Sequence, residues 1–330
     1  MVGANISGPH RKKHLLDLCV SRTKLSVKLV EKMKVKKILF KKIYPYFYVL
    51  PAVVFICLFI LYPIVKGIYI SILDYDPISG TGPYVGMKHF ARIWEDRIFW
   101  TALRNNLIYI GVTLFTEVAA GLVLAVLVNR VKKIKISVGY RVIIFSPTVI
   151  SMAAVGILFA VVLHTQVGLL NSLLKMVGLS SWTRSWLGHS NTALLSIIGI
   201  SCWRFIGFCT ILYYAALQRI PESFYEAASI DGATSGQQFL HITIPLLSSV
   251  TTVIAGLALI GGFTQFVLPY VITFGGPSHS TEFLATWSIK KAFAMQAMSY
   301  GTAISVVLTG IILATTIVYL KWREKETYEY

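Results

Sequence analysis

A chain of 330 residues with 55% hydrophobic and only 14% charged side chains lacks the polar surface needed to cover an ordinary soluble globule. Its formal charge of +17 reflects 31 Lys and Arg against 14 Asp and Glu. Nucleic acid is a common partner of so basic a chain, but no reader motif accompanies the charge and the basic residues flank apolar runs, so that partner is excluded.

Residues 1–45 form a basic segment in which Leu25, Leu29 and Met33 recur at helical spacing beside Lys24, Lys28 and Lys32. Two readings fit: a helix lying on anionic lipid headgroups, and a solvated tail that fixes topology. Apolar runs follow near 46–72, 105–128, 138–163, 191–217, 246–270 and 299–320. Each exceeds the roughly 20 residues that cross about 30 Å of hydrocarbon, so the predicted fold is all-α and polytopic, with six transmembrane helices over 46–320. The first run is too long for a cleavable leader and is expected to remain as a span.

Lys and Arg set the predicted orientation. Twenty-one lie in 1–45, 129–141, 218–245 and the tail 321–330; eight lie in the alternate loops. By the positive-inside rule both termini and the 218–245 loop are cytoplasmic. Cys57, Cys202 and Cys209 fall within spans and Cys19 before them, where reduced thiols are expected. His164, His189, His241 and His279 are isolated from other ligand types, which predicts no metal site. No paired carboxylates or Ser/His/Asp order within the spans suggest an enzyme.

The charged loop between the fourth and fifth runs is the most specific feature. Pro221 suits a helix start, and 222–230 reads as a helix with acid near its positive end. Gly232 permits a turn, and a second helix from about Ser235 is expected to stop near Pro245. The spacing is Glu226-Ala227-Ala228, three residues, Gly232, nine residues, Ile242, one residue, then Ile244-Pro245. This resembles the cytoplasmic loop signature of ABC importer permeases, with Ile244 in place of the usual Leu. Gly275-Gly276-Pro277, one span later, and the early segment Tyr84 to Trp94 with Asn105-Asn106 resemble the carbohydrate branch of that family, the permeases for maltose and glycerol phosphate. The resemblance covers about residues 44–322.

The resemblance implies a type I importer permease fold and a division of labour. No Gly-x4-Gly-Lys-Ser/Thr phosphate loop occurs in the chain. ATP and Mg are therefore expected on a separate cytoplasmic ATPase dimer, which docks on Glu226, Ala227, Ala228, Asp231, Gly232, Ala233, Ile242 and Pro245. A second, homologous permease completes a heterodimer around the path, and an extracytoplasmic solute-binding protein delivers a sugar or oligosaccharide. A polyol or glycerol-phosphate-type solute is the alternative, and an ion-coupled secondary carrier is a more distant one. Relatives meet sugar on the fourth and fifth spans, which here points to Ser201, Arg204, Phe205, Phe208, Gly262 and Gln265. Arg204 has two readings: it faces substrate, or it forms an intramembrane ion pair with Glu117, since an uncompensated Arg is costly in a span.

Overall fold

The computed structural model describes residues 46–131 and 133–324. The amphipathic stretch at 24–33 and Cys19 lie outside the described residues. Among the described residues there is no strand, only isolated bridges pairing Leu73 with Tyr84 and Asp76 with Thr81.

Two compact units divide the chain, 1–66 and 67–330. The described part of the first is helical and belongs to α1 (Tyr46–Ser71), whose apolar side chains, such as Phe55 and Phe59, are exposed. A π turn at Cys57–Leu61 carries this helix past Pro63: the Tyr62 amide donates to Cys57 O, so the wider turn takes up the place where Pro63 has no N–H to give.

The second unit holds α2 (Lys88–Glu95), α3 (Arg97–Asn129), α4 (Ile134–Val149), α5 (Met152–Val162), α6 (Leu169–Met176) and α7 (Ser190–Leu217). After these come α8 (Glu222–Ile230), α9 (Ser235–Gln238), α10 (Ser248–Phe263), α11 (Val267–Ile272), α12 (Leu284–Ile289) and α13 (Met298–Glu324). Helix α3 begins well before the apolar run, because Asp96 caps it, accepting from the amides of Ile98 at 2.9 Å and Phe99 at 3.3 Å. Among the described residues, five helices are long and apolar enough to span a membrane, and a sixth span requires α4 and α5 to be counted together.

That pair covers the apolar run near 138–163. α4 and α5 meet at 94°. Pro147 removes a hydrogen bond from the last turns of α4, and Ser151 opens α5 afresh, its Oγ accepting from the Ala154 amide at 3.2 Å.

α3 is the spine, packed along α7 and α10, while α4 lies on α7, α11 on α5 and α12 on α13. Backbones approach closely at Gly207, where a Cβ would lie 2.0 Å from Ile144 O, as small residues permit in membrane helix pairs. One core gathers Phe99, Phe263, Trp287, Tyr300 and Ile304; another gathers Ala125, Tyr213, Leu217 and Ile254. Large apolar side chains such as Phe115, Val161, Leu313 and Val318 point outward, as lipid-facing residues do.

Candidate functional site: a docking segment and a polar cavity

The chain leaves α7 beside the end of α3, where Gln218 Nε2 donates to Asn129 Oδ1, and enters α8 with Pro221 as its N-cap residue. α8 ends in a Schellman turn. Gly232 sits at φ +80°, its amide donates to Ser229 O at 3.1 Å, and the Ala233 amide donates to Ala228 O at 2.8 Å. Thr234 then caps α9 reciprocally with Gln237. Gln238 clasps the two helices, its Nε2 donating to Ser229 Oγ at 2.9 Å, and Tyr225 OH lies 3.0 Å from Thr243 Oγ1.

Glu226, Ala227, Asp231, Gly232 and Pro245 are exposed, and Ala228, Ala233 and Ile242 are half-buried. The carboxylates of Glu226 and Asp231 have no hydrogen-bond or ion-pair partner among the described residues. Phe224, Ile230 and Leu240 are exposed beside them, Ile230 at 87%. The second helix passes through a π turn, Phe239–Thr243, and ends at Leu246, beside Pro245 as the sequence predicts, with α10 starting at Ser248. The Ile244 amide reaches Phe239 O, the same accommodation seen before Pro63.

The second feature lies where α10 breaks. Between Phe263 and Val267 the helical ladder lapses, and Asn106 of α3 takes up the freed carbonyls, donating from Nδ2 to Gly262 O at 2.7 Å and to Phe263 O at 3.4 Å. Gln265, in the break and 5% exposed, donates to Tyr109 OH at 2.6 Å, and Tyr109 OH in turn meets Ser201 Oγ. These side chains tie α3, α7 and the α10–α11 break around a cavity of about 220 Å³.

Of the residues named from sequence, Ser201, Phe205, Gly262 and Gln265 line this cavity. Phe208 packs edge-on against Phe205 and does not line it. Arg204 is also outside it, and the proposed ion pair with Glu117 is absent. Its guanidinium instead donates to Thr148 O at 3.1 Å and Ile150 O at 3.2 Å, the carbonyls left open where α4 ends. Thr148 Oγ1 returns a bond to Arg204 O at 2.8 Å. A cation at a helix C-terminus also meets the negative end of its dipole, which compensates the Arg without a carboxylate. Glu117, 5% exposed, lines the cavity with no hydrogen bond or ion pair to any described residue.

Tyr109 and Thr113 were not named from sequence. The signal was present: Asn105, Tyr109, Thr113 and Glu117 recur every fourth residue, a polar stripe in an otherwise apolar helix.

At the end of the unit away from residues 218–245, acidic side chains are paired, Asp96 half-buried and Glu282 fully buried. Asp96 Oδ2 accepts from Tyr300 OH at 2.6 Å and Trp287 Nε1 at 2.9 Å. Burial pushes the Asp96 carboxyl up, but these donors and the two capping amides outweigh it and hold it below its ordinary value of 3.8. Glu282, fully buried, accepts from Lys290 Nζ at 2.7 Å and Thr286 Oγ1 at 2.6 Å, and His279 Nδ1 lies 3.2 Å from it.

Residues 118–323 match the family described as "Binding-protein-dependent transport system inner membrane component". The chain belongs to this family. Among curated relatives, the probable ABC transporter permease protein YurN of Bacillus subtilis (strain 168) is 38% identical over 281 residues, 85% of this chain and 96% of that one. The arabinooligosaccharides transport system permease protein AraP of the same organism is 32% identical, covering 85% and 88%. The lactose transport system permease protein LacF of Rhizobium radiobacter is also 32% identical, covering 83% and 91%. A crystal structure of a bacterial ABC transporter involved in the import of the acidic polysaccharide alginate includes a chain with the same fold, at TM-score 0.77 and 22% identity over 88% of this chain and 98% of that one. The permease is thus a multi-pass inner-membrane component of an ABC transporter.

Proposed function

We propose that this permease forms half of the translocation path for a sugar or oligosaccharide and takes its energy from a separate ATPase docked on residues 218–245. The observation that carries the reading is the docking segment: two short helices are capped, clasped to each other by Gln238 and left with unpaired carboxylates at Glu226 and Asp231. A segment stabilised internally, while its acidic and apolar side chains stay exposed, is preorganised for a partner. The Lys and Arg distribution supports a cytoplasmic location for that partner.

The cavity at the α10 break supplies the path. Broken helices in transporters expose backbone and polar side chains where solute binds, and here Tyr109, Ser201 and Gln265 provide hydroxyl and amide groups beside Phe205 and Phe266. That combination suits a sugar, as do the relatives named for arabinooligosaccharides and lactose. A second, homologous permease closes the path, an extracytoplasmic binding protein supplies the solute, and ATP and Mg reside on the ATPase dimer. Arg204, engaged by backbone carbonyls, lends no support to a glycerol-phosphate-type solute.

The test is co-purification of the full chain with the candidate ATPase from co-expression, comparing wild type with Gly232→Asp. Retention by wild type and loss from the variant supports the reading. If no ATPase associates with either, the docking assignment fails, and ion-gradient dependence of uptake becomes the measurement to make.

A further inference from the structure

Two cavities meet at the end of α7 remote from the docking segment. One, about 830 Å³, is lined by polar residues, among them Thr165, Arg184, His189, Asn191 and Thr192. The other, about 540 Å³, is mainly apolar and runs between α5 and α7 past Phe159, Leu163, Leu170, Leu195 and Trp203. Arg184 and Thr192 line both, so a single molecule with a polar head and an apolar tail can occupy the two together. Both α5 and α7 belong to membrane-spanning segments, and the junction lies at their ends, where headgroups give way to hydrocarbon. Trp186 stands there, as aromatic residues do at membrane interfaces, while Trp203 lines the groove deeper along α7.

The charge is one-sided. From residue 118 to 221 the chain carries no Asp or Glu. The Arg184 guanidinium is exposed and has no hydrogen-bond, ion-pair or ring partner among the described residues, while the backbone beneath it is pinned by Asn171, which donates to Arg184 O at 2.9 Å and accepts from Trp186 Nε1 at 2.8 Å. An unpaired Arg held on a rigid loop, over an apolar groove that opens into a membrane span, selects an anion attached to a hydrocarbon chain.

We propose that this junction is a binding site for an anionic phospholipid, with the phosphate at Arg184 and an acyl chain in the groove between α5 and α7. The assignment is independent of the solute and of the ATPase.

The test uses the full-length chain in neutral detergent, with binding of phosphatidylglycerol and of phosphatidylcholine of identical acyl chains titrated by native mass spectrometry. Wild type prefers phosphatidylglycerol by about fivefold or more, the factor one basic residue gives near an anionic headgroup. Arg184→Gln removes that increment of preference. Gly199→Leu weakens both lipids, because residue 199 lines the groove and a Cβ there meets no atom within 4 Å, so the longer side chain fills the space the acyl chain needs. Leu is also the better helix former, and an unchanged melting temperature shows that this variant is folded. Basic residues elsewhere also attract anionic lipid, so the difference between wild type and variants carries the result. An unchanged preference in Arg184→Gln, or undiminished binding in folded Gly199→Leu, overturns the site. If inorganic phosphate competes as well as phosphatidylglycerol while Gly199→Leu changes nothing, the junction binds a free anion and the lipid assignment is overturned.

Discussion

In the loop at residues 218–245, Glu226 and Asp231 are exposed and unpaired among the described residues; at the far end, Glu282 is fully buried and held by Lys290, Thr286 and His279. Both regions join long helices, and both use acidic residues. The difference lies in where each carboxylate finds its partner. Buried acid must be compensated within the chain, because desolvation of a lone charge costs several kcal/mol, so fully buried Glu282, and to a lesser degree half-buried Asp96, brace the body. Exposed acid costs the fold almost nothing and leaves its charge for another molecule.

Substitutions break this contrast in a definite order. Glu282→Ala strands the Lys290 ammonium and is expected to cost about 3–5 kcal/mol, read as a large fall in melting temperature in detergent. Asp96→Asn removes the charge that draws four donors together and is expected to cost about 1–2 kcal/mol at pH 7. Because the folded-state carboxyl of Asp96 is lowered, its stabilisation is present above its ordinary value of 3.8 and lost as pH falls through the folded value. Melting curves of wild type and Asp96→Asn therefore separate at neutral pH and draw together below that value.

Smaller effects sharpen the other side. Gly232→Ala places a Cβ at φ +80° and is expected to cost about 1 kcal/mol, since nothing lies within 4 Å to add a clash. Glu226→Gln is expected to leave stability within about 0.5 kcal/mol while reducing solute uptake by the assembled transporter. Should Glu226→Gln lower the melting temperature as Glu282→Ala does, the contrast collapses and the docking end is structural.

The helices were legible because hydrophobic run length reports directly on hydrocarbon thickness, and the helix-turn-helix at residues 222–246 because turn and cap chemistry is local: Pro221, Gly232 and Thr234 act within a few residues of themselves. What was not legible depended on contacts distant in sequence. Arg204 was paired with Glu117 because a carboxylate is the obvious partner of a buried Arg, yet the α4 carbonyls it caps appear only once α4 has bent against α7. The bend itself had a cue in Pro147 and Ser151, masked by unbroken hydropathy across them. Pro245 did mark its helix end, within one residue at Leu246, but the π turn before it, which absorbs the missing N–H, left no cue in the residue pattern.

That π turn has a consequence for continuity. Hydrogen bonding continues from Thr234 through Leu247, whose amide donates to Thr243 O at 3.1 Å and whose carbonyl accepts from Thr251, and on along α10 to the break at Thr264. From Ser235 to the cavity wall at Phe263 the chain is thus one nearly continuous helical path of roughly 40 Å at about 1.5 Å per residue. It departs from α geometry at two places, the π turn Phe239–Thr243 and Leu247, where one helix ends and α10 begins.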